Sequence, residues 1–170
     1  VNFTEDMKDA LMSDIKRLKE HSLDGNFTGR DNLHLTVAFI GETSEIEKAK
    51  AALSKINADC FTLQINGFGR FSRRGGDIYW RGIQPNQELE LIYQQVKKGL
   101  NSRGFALEER PFKPHLTLGR QVIAEENFDM QNFKRTLPRL KTEVKRVSLM
   151  QSSRIEGKLK YTEIYGVDLK

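Results

Sequence analysis

The chain has 170 residues, with 28 Lys and Arg against 23 Asp and Glu and a formal net charge of +5. At 38% hydrophobic and 30% charged residues it has enough Phe, Leu, Ile and Val to bury a core, which excludes a disordered chain, and no apolar run approaches the ~20 residues of a membrane-spanning helix. A single cysteine, Cys60, excludes an intramolecular disulfide and any CxxC zinc or redox motif, and points to a reducing cytoplasm.

The chain begins Val1-Asn2-Phe3 with no methionine, charged n-region or apolar h-region. No signal peptide is expected, and either a few residues are missing or the first strand is only partly represented. Asn2-Phe3-Thr4 and Asn26-Phe27-Thr28 match the glycosylation sequon, which matters only in a secreted chain. Met7, Ala10, Leu11, Ile15 and Leu18 predict an amphipathic helix over about 5–21, followed by a loop containing Asp24-Gly25. Residues 32–40 alternate and are rich in strand formers, and Gly41 ends them. A second helix is expected near 45–57, then strands at 61–65 and 77–83 flanking a glycine-rich stretch, 67–76, read as the turn between them. Leu89, Ile92, Val96 and Leu100 mark a further helix closed near Gly104. A short strand at 115–119, a short helix near 129–136 and closing strands at about 142–152 and 159–168 complete the chain. Helices and mostly antiparallel strands in this order predict an α+β fold, and no Pro- or Ser-rich linker divides residues 1–170 into separate domains.

Histidine is scarce: His21, His34 and His115 are the only three. Two of them open the same tetrapeptide, His34-Leu35-Thr36-Val37 (residues 34–37) and His115-Leu116-Thr117-Leu118 (residues 115–118), 81 residues apart (115 − 34). Chance alone produces such a pair on the order of once in a few hundred sequences of this composition. The surroundings repeat too, because the same shift places Ile15, Lys16 and Arg17 on Val96, Lys97 and Lys98, and an amphipathic helix precedes each motif. This is a half-chain duplication, which predicts two similar lobes related by a pseudo-twofold axis.

In a strand, His and Thr of such a motif point to one face and the two apolar residues to the other. Two lobes packed across a twofold then oppose two imidazoles, with two hydroxyls beside them, in one cleft. That arrangement suits in-line displacement at phosphorus: one imidazole takes a proton from the attacking oxygen while the other gives one to the leaving oxygen. Histidine fits because its ordinary pKa of about 6.5 keeps both forms within reach near neutrality. The threonine hydroxyls can donate to non-bridging oxygens. No metal-ligand cluster is evident and no metal or cofactor is required. His21, at a helix C-terminus with no threonine partner, reads as a surface residue favouring the helix dipole.

Asn32-Leu33-His34-Leu35-Thr36-Val37-Ala38-Phe39-Ile40-Gly41-Glu42, Gly104-Phe105, and Arg110-Pro111-Phe112-Lys113-Pro114-His115-Leu116-Thr117-Leu118-Gly119-Arg120 resemble the 2H phosphoesterase superfamily, and within it the RNA 2′,3′-cyclic phosphodiesterase group, also called 2′-5′ RNA ligases. The resemblance extends to Gly67-Phe68-Gly69 and Ser152-Ser153-Arg154, and departs only in the missing start of the family's first strand. It implies two pseudo-twofold lobes whose mostly antiparallel sheets line a central cleft, with helices outside. It also implies metal-independent hydrolysis of a terminal 2′,3′-cyclic phosphate on RNA to a 2′-phosphate, with reversible 2′-5′ ligation as a second activity. Carried over by motif, His34 is the proton donor to the leaving 3′ oxygen, His115 the proton acceptor that activates water, and Thr36, Thr117 and Arg120 bind the substrate phosphate. The implied partners are RNA ends with a cyclic phosphate. No membrane or protein partner is implied, and a cytoplasmic monomer is expected.

Other features are weaker. Arg70, Arg73 and Arg74 could track an RNA backbone, although a solvated loop is the commoner explanation. Gly67-Phe68-Gly69-Arg70-Phe71 imitates part of an RNP1 motif but has Arg70 where a stacking aromatic belongs, and it fails as a dinucleotide fingerprint because Ser72 replaces the third glycine. Phe39 and Phe112 could stack a base, but core packing is the simpler reading for them and for Trp80. Two alternatives stay open: an RNA-binding module that keeps this scaffold without turnover, and a phosphodiesterase for a small cyclic nucleotide.

Overall fold

In the computed structural model, which describes residues 1–170, helix α1 (Glu5–Lys19) starts where Thr4 accepts a hydrogen bond from the Met7 amide, and Glu5 and Asp6 face the positive end of its dipole. Its stripe of Met7, Leu11, Ile15 and Leu18 is buried. Strand β1 (Ser22–Phe27) follows, then a short 3-10 turn, Arg30–Asn32, and helix α2 (Ile46–Leu53). Strands β2 (Phe61–Phe71) and β3 (Asp77–Ile83) form a hairpin. Helix α3 (Gln87–Asn101) is capped by the Asn86 side chain, which accepts from the Leu89 amide at 2.8 Å, and buries Leu89, Ile92, Val96 and Leu100. Strand β4 (His115–Ala124), helix α4 (Met130–Thr136), strand β5 (Leu140–Val144) and the hairpin β6 (Arg146–Ile155) and β7 (Lys158–Asp168) complete the chain.

Five antiparallel strands form one sheet in the order β1-β4-β3-β2-β5, and β6-β7 form a second, two-stranded sheet. The buried apolar side chains make one continuous cluster, and no helix is long and apolar enough to cross a membrane. The duplication reappears in the fold as a repeated series of helix, His-motif segment, helix and hairpin: α1, His34, α2 and β2-β3, then α3, His115, α4 and β6-β7. The two series are interleaved. Strand β4, which carries His115, pairs with β3 of the first series, and α4 packs on β2. Conversely the segment carrying His34 lies against β7 of the second series, where the Asn32 side-chain amide donates to the Leu159 carbonyl at 2.8 Å, and α2 packs on β6 and β7. Each motif is therefore seated on the hairpin of the other repeat.

Four local expectations change. Asp24 and Gly25 lie in β1, paired with β4, and not in a loop. Residues 32–40 form no continuous strand: Leu35 exchanges two backbone hydrogen bonds with Val1, an isolated bridge joins Asn2 to His34, and residues 36–40 have no ladder partner. Gly67, Phe68 and Gly69 lie within β2, so the turn is confined to 72–76, where Gly75 and Gly76 adopt φ of +84° and +117°. The strand expected at 142–152 is two strands in different sheets, because β5 pairs with β2 whereas β6 turns away to pair with β7.

Candidate active site

Motif 2 opens β4. His115 and Thr117 are half-buried on one face, and Leu116 and Leu118 are buried on the other, as strand alternation requires. In motif 1, His34 is half-buried, Leu35 is buried and Thr36 is exposed. His34 Nε2 and Thr36 Oγ1 are 3.1 Å apart, so the two polar side chains share one side while Leu35 is buried on the other.

The two imidazoles are held alike. His34 Nδ1 lies 2.7 Å from the Asn32 carbonyl oxygen, and His115 Nδ1 lies 2.7 Å from the Lys113 carbonyl oxygen. A carbonyl can only accept, so Nδ1 carries the proton in both rings and Nε2 is the nitrogen left to gain or lose one. Each ring thus takes its tautomer and orientation from the carbonyl two residues before it. His34 Nε2 is also 3.1 Å from Thr36 Oγ1. The carbonyl that orients His115 belongs to an irregular segment, 106–114. Phe112 in that segment stacks on Tyr93 of α3 with ring centroids 4.3 Å apart and planes within 7°, which ties the segment down next to Lys113.

Hydrogen bonds from Thr28 tie the second motif to the segment that leads into the first. The Thr28 amide donates to the Leu118 carbonyl at 2.9 Å and its hydroxyl donates to the Thr117 carbonyl at 2.9 Å. From Thr28 the turn Arg30–Asn32 leads directly to His34. Arg30, Arg70, Arg81, Arg110 and Arg146 are held in ion pairs with carboxylates. Arg120 is exposed and is not among them, and it stands near enough to His34 for its charge to act on that ring. Burial lowers the His34 pKa below the ordinary imidazole value, the bond to the Asn32 carbonyl opposes this, and the Arg120 charge adds to the lowering.

The basic loop contributes less than its composition suggests. Arg70 is paired with Asp77 at 2.7 Å. Its backbone partner is the buried Tyr79, so it points away from the face that carries Gly69 and Trp80. His21 takes no part in the motif contacts; its ring stacks on Phe128 at 5.4 Å and meets Phe133 edge-on at 5.8 Å. Phe39 is 72% exposed and is not core. Trp80 is not core either: its neighbours Tyr79 and Arg81 point inward and are buried, which turns the half-buried Trp80 to the face shared with His115 and Thr117. No group of three or more His, Cys, Asp or Glu side chains is placed to hold a metal ion.

Sequence reasoning overlooked two features. Tyr161 of β7 lies against His34, with ring centroids 4.6 Å apart. It stands 81 residues after Trp80 (161 − 80), whose ring lies 6.2 Å from that of His115, so the repeat itself could have found it. Beneath β4, Arg81 is fully buried and pairs with buried Asp14 of α1. Its Nε donates to the Gly67 carbonyl at 3.0 Å and its Nη2 to the Pro138 carbonyl at 2.5 Å. Asp14 sits on the apolar stripe of α1, a detectable signal because a carboxylate there requires a partner.

Residues 7–156 match the family model described as the 2′-5′ RNA ligase superfamily. A relative from Thermotoga maritima named RNA 2′,3′-cyclic phosphodiesterase is 28% identical over 125 residues, covering 71% of this chain and 66% of that protein, just under two thirds of its length. An Escherichia coli K12 relative of the same name is 32% identical over 143 residues, covering 82% of this chain and 77% of that one. Among solved structures, E. coli LigT in its apo form superposes with a TM-score of 0.80 at 26% identity over 99% of this chain and 94% of that chain. That likeness over nearly the whole of both chains shows a shared α+β fold.

Proposed function

The chain belongs to the 2′-5′ RNA ligase superfamily, and from that premise we propose that it hydrolyses the 2′,3′-cyclic phosphate at an RNA end to a 2′-phosphate within a single bilobal domain, residues 1–170. The observation that carries this reading is the matched pair of imidazoles, each presenting Nε2 because its Nδ1–H is tied to a backbone carbonyl. Water attacks phosphorus as His115 Nε2 accepts its proton. The P–O3′ bond breaks as His34 Nε2–H donates to O3′, leaving a 2′-phosphate and a 3′-hydroxyl. Thr36 and Thr117 donate to non-bridging oxygens and Arg120 offsets the charge that builds there. Solvent then restores the two protonation states. With an RNA 5′-hydroxyl in place of water the same groups serve 2′-5′ joining, and for cleavage of that linkage their roles exchange.

The test is purified protein with an oligonucleotide ending in a 2′,3′-cyclic phosphate, alongside a cyclic mononucleotide. A 2′-phosphate product, formed at an unchanged rate in EDTA, is expected from the oligonucleotide. A 3′-phosphate product or chelator-sensitive turnover would sink the mechanism, and binding of RNA ends without turnover would leave only a recognition module.

The His34 environment sets a pH dependence. As a general acid it must be protonated, and its pKa lies below the ordinary value chiefly because of burial, with the Arg120 charge among the smaller contributions to the lowering. In the free protein kcat/KM should therefore fall with rising pH along a limb centred below the ordinary imidazole value of about 6.5. The limb of kcat should lie higher, because the bound phosphate anion favours the imidazolium. Arg120→Gln should move the kcat/KM limb upward while raising KM. A limb unmoved by that substitution would remove Arg120 from the site.

A further inference from the structure

Strand β4 is irregular where it carries Arg120. In an unbroken strand, residues alternate from His115 onward, and Arg120 would share the buried face with Leu116, Leu118 and Val122. It is instead exposed. Two one-residue bulges bracket it. Trp80 and Tyr79 of β3 are consecutive, but their partners Thr117 and Gly119 are not. Leu118 and Gly119 therefore both lie on the buried side, and Arg120 turns to the side of His115 and Thr117. Tyr79 and Asp77 are two residues apart while their partners Gly119 and Val122 are three apart, and this second bulge returns Val122 to the core. Strand β1 shows the same second offset from its own side, with Asn26 opposite Arg120 and Asp24 opposite Ile123.

The second bulge is strained and held from both flanks. Gln121 adopts a φ of +52° inside β4, a left-handed conformation uncommon away from glycine. The other non-glycine residue with positive φ, Glu156, is in the turn between β6 and β7, where such backbone is ordinary. On the β1 side, the Asn26 side-chain amide donates to Gln121 Oε1 at 2.6 Å. On the other side, Gly76 comes so close that a Cβ there would stand 2.5 Å from the Gln121 carbonyl carbon and 2.8 Å from its Cα. Core packing is an inadequate explanation for this construction. A regular strand with neither bulge also faces Val122 inward, because two insertions together restore the alternation that one disturbs. What the pair of bulges changes is the facing of the residues between them, where Arg120 is the one charged side chain.

We infer that the Gln121 bulge, held by Asn26 and Gly76, is a positioning device that turns Arg120 toward the phosphate between the two imidazoles. This deepens the phosphodiesterase reading and rests on it for the role of Arg120. Backbone strain persists only where the surroundings over-determine it, and bulges beside active sites serve to re-aim a side chain. With its strand already bent, the guanidinium meets the phosphate without first reorganising the backbone. Gln121 and Asn26 are positioning residues, and they act on the reaction only through Arg120.

Calorimetric titration with adenosine 2′-phosphate, a mononucleotide form of the expected product, tests this without requiring turnover. Gln121→Val and Gln121→Gly both remove the amide, but a β-branched side chain disfavours left-handed backbone whereas glycine adopts it freely. The difference between them therefore reports the backbone alone. Gln121→Val should weaken binding about tenfold, as far as Arg120→Gln does, and Gln121→Gly by less than about threefold. Asn26→Ala, at an exposed position, removes the hold on Gln121 and should weaken binding by about threefold. In the Arg120→Gln background none of the three should have any further effect, a non-additivity that a merely structural role would not produce. Circular dichroism confirms folding, and the Asn26→Ala cycle decides the matter if Gln121→Val does not fold. Wild-type affinity in folded Gln121→Val, equal losses in both backgrounds, or an Arg120→Gln protein that binds like wild type would overturn the inference. Coupled losses in a protein that turns over no cyclic phosphate would instead overturn the phosphodiesterase reading and leave the positioning role standing.

Discussion

His115→Ala and His34→Ala should each lower kcat/KM on a 2′,3′-cyclic-phosphate substrate by about 10² to 10⁴-fold, the usual worth of a positioned proton-transfer group. Neither substitution should cost much stability, because both rings are half-buried and each contributes one side-chain hydrogen bond to a backbone carbonyl. The residual pH profiles carry the finer test. Without its general acid, His34→Ala should lose the alkaline limb of kcat/KM, and His115→Ala, without its base, should lose the acid limb. The opposite pairing would exchange the two roles. Rates within tenfold of wild type in either folded variant would remove two-histidine catalysis altogether. The two orienting carbonyls, of Asn32 and Lys113, belong to the backbone and cannot be deleted by substitution. The stack that steadies the second one can, and Tyr93→Ala should lower kcat more than it raises KM if the His115 ring loses its alignment.

The largest effect on stability is expected at the Asp14–Arg81 pair. Asp14 is 1% exposed and Arg81 is 0% exposed. Burial pushes the Asp14 carboxyl up and the Arg81 guanidinium down from their usual ranges, and their attraction pulls each back. Asp14→Ala leaves a guanidinium buried without its counter-charge, which costs about 3–5 kcal/mol. For a chain of this size that lowers Tm by about 10 °C, measurable by thermal or urea unfolding. The Asp14→Leu, Arg81→Met double variant should recover much of this, since an apolar pair of similar volume is often neutral at such a site. A Tm for Asp14→Ala within about 2 °C of wild type would show that the pair carries no such load. Activity links to this contact through the ladder. Arg81 pairs with Leu116, and the next residue, Gly82, pairs with His115, so disorder at Arg81 reaches the strand that carries His115. The guanidinium also gathers α1, the Gly67 carbonyl of β2 and the Pro138 carbonyl ahead of β5, which explains why a charged side chain occupies a fully buried position of β3.

The helices were legible in the sequence to within a few residues, because apolar spacing is a local signal. The two His-motif segments were legible because they repeat. Strand boundaries were less so. The segment after His34 alternates as a strand should, yet has almost no ladder partner, and no local pattern reveals whether a neighbour is present. Gly67 and Gly69 resemble turn residues and instead sit within β2, where Gly69 makes room for an indole. Trp80 looked like core by composition, but its facing is set by where Tyr79 and Arg81 point.

By itself the sequence determined the α+β class, the duplication and the residues of the two motifs, all of which depend on spacing along the chain, while Arg120 entered as a candidate through the family resemblance. The modest +5 charge identified no surface, and the structure further reduces its meaning by tying Arg70 to Asp77. Only the tertiary structure decided that each motif is seated on the other repeat's hairpin, that both imidazoles tie Nδ1 to a backbone carbonyl, and that Phe71 and Trp80 flank His115. The physical reason is that these are relations between segments far apart in sequence. Strand pairing, burial and through-space charge set them, and none of the three is encoded in a residue's local neighbours.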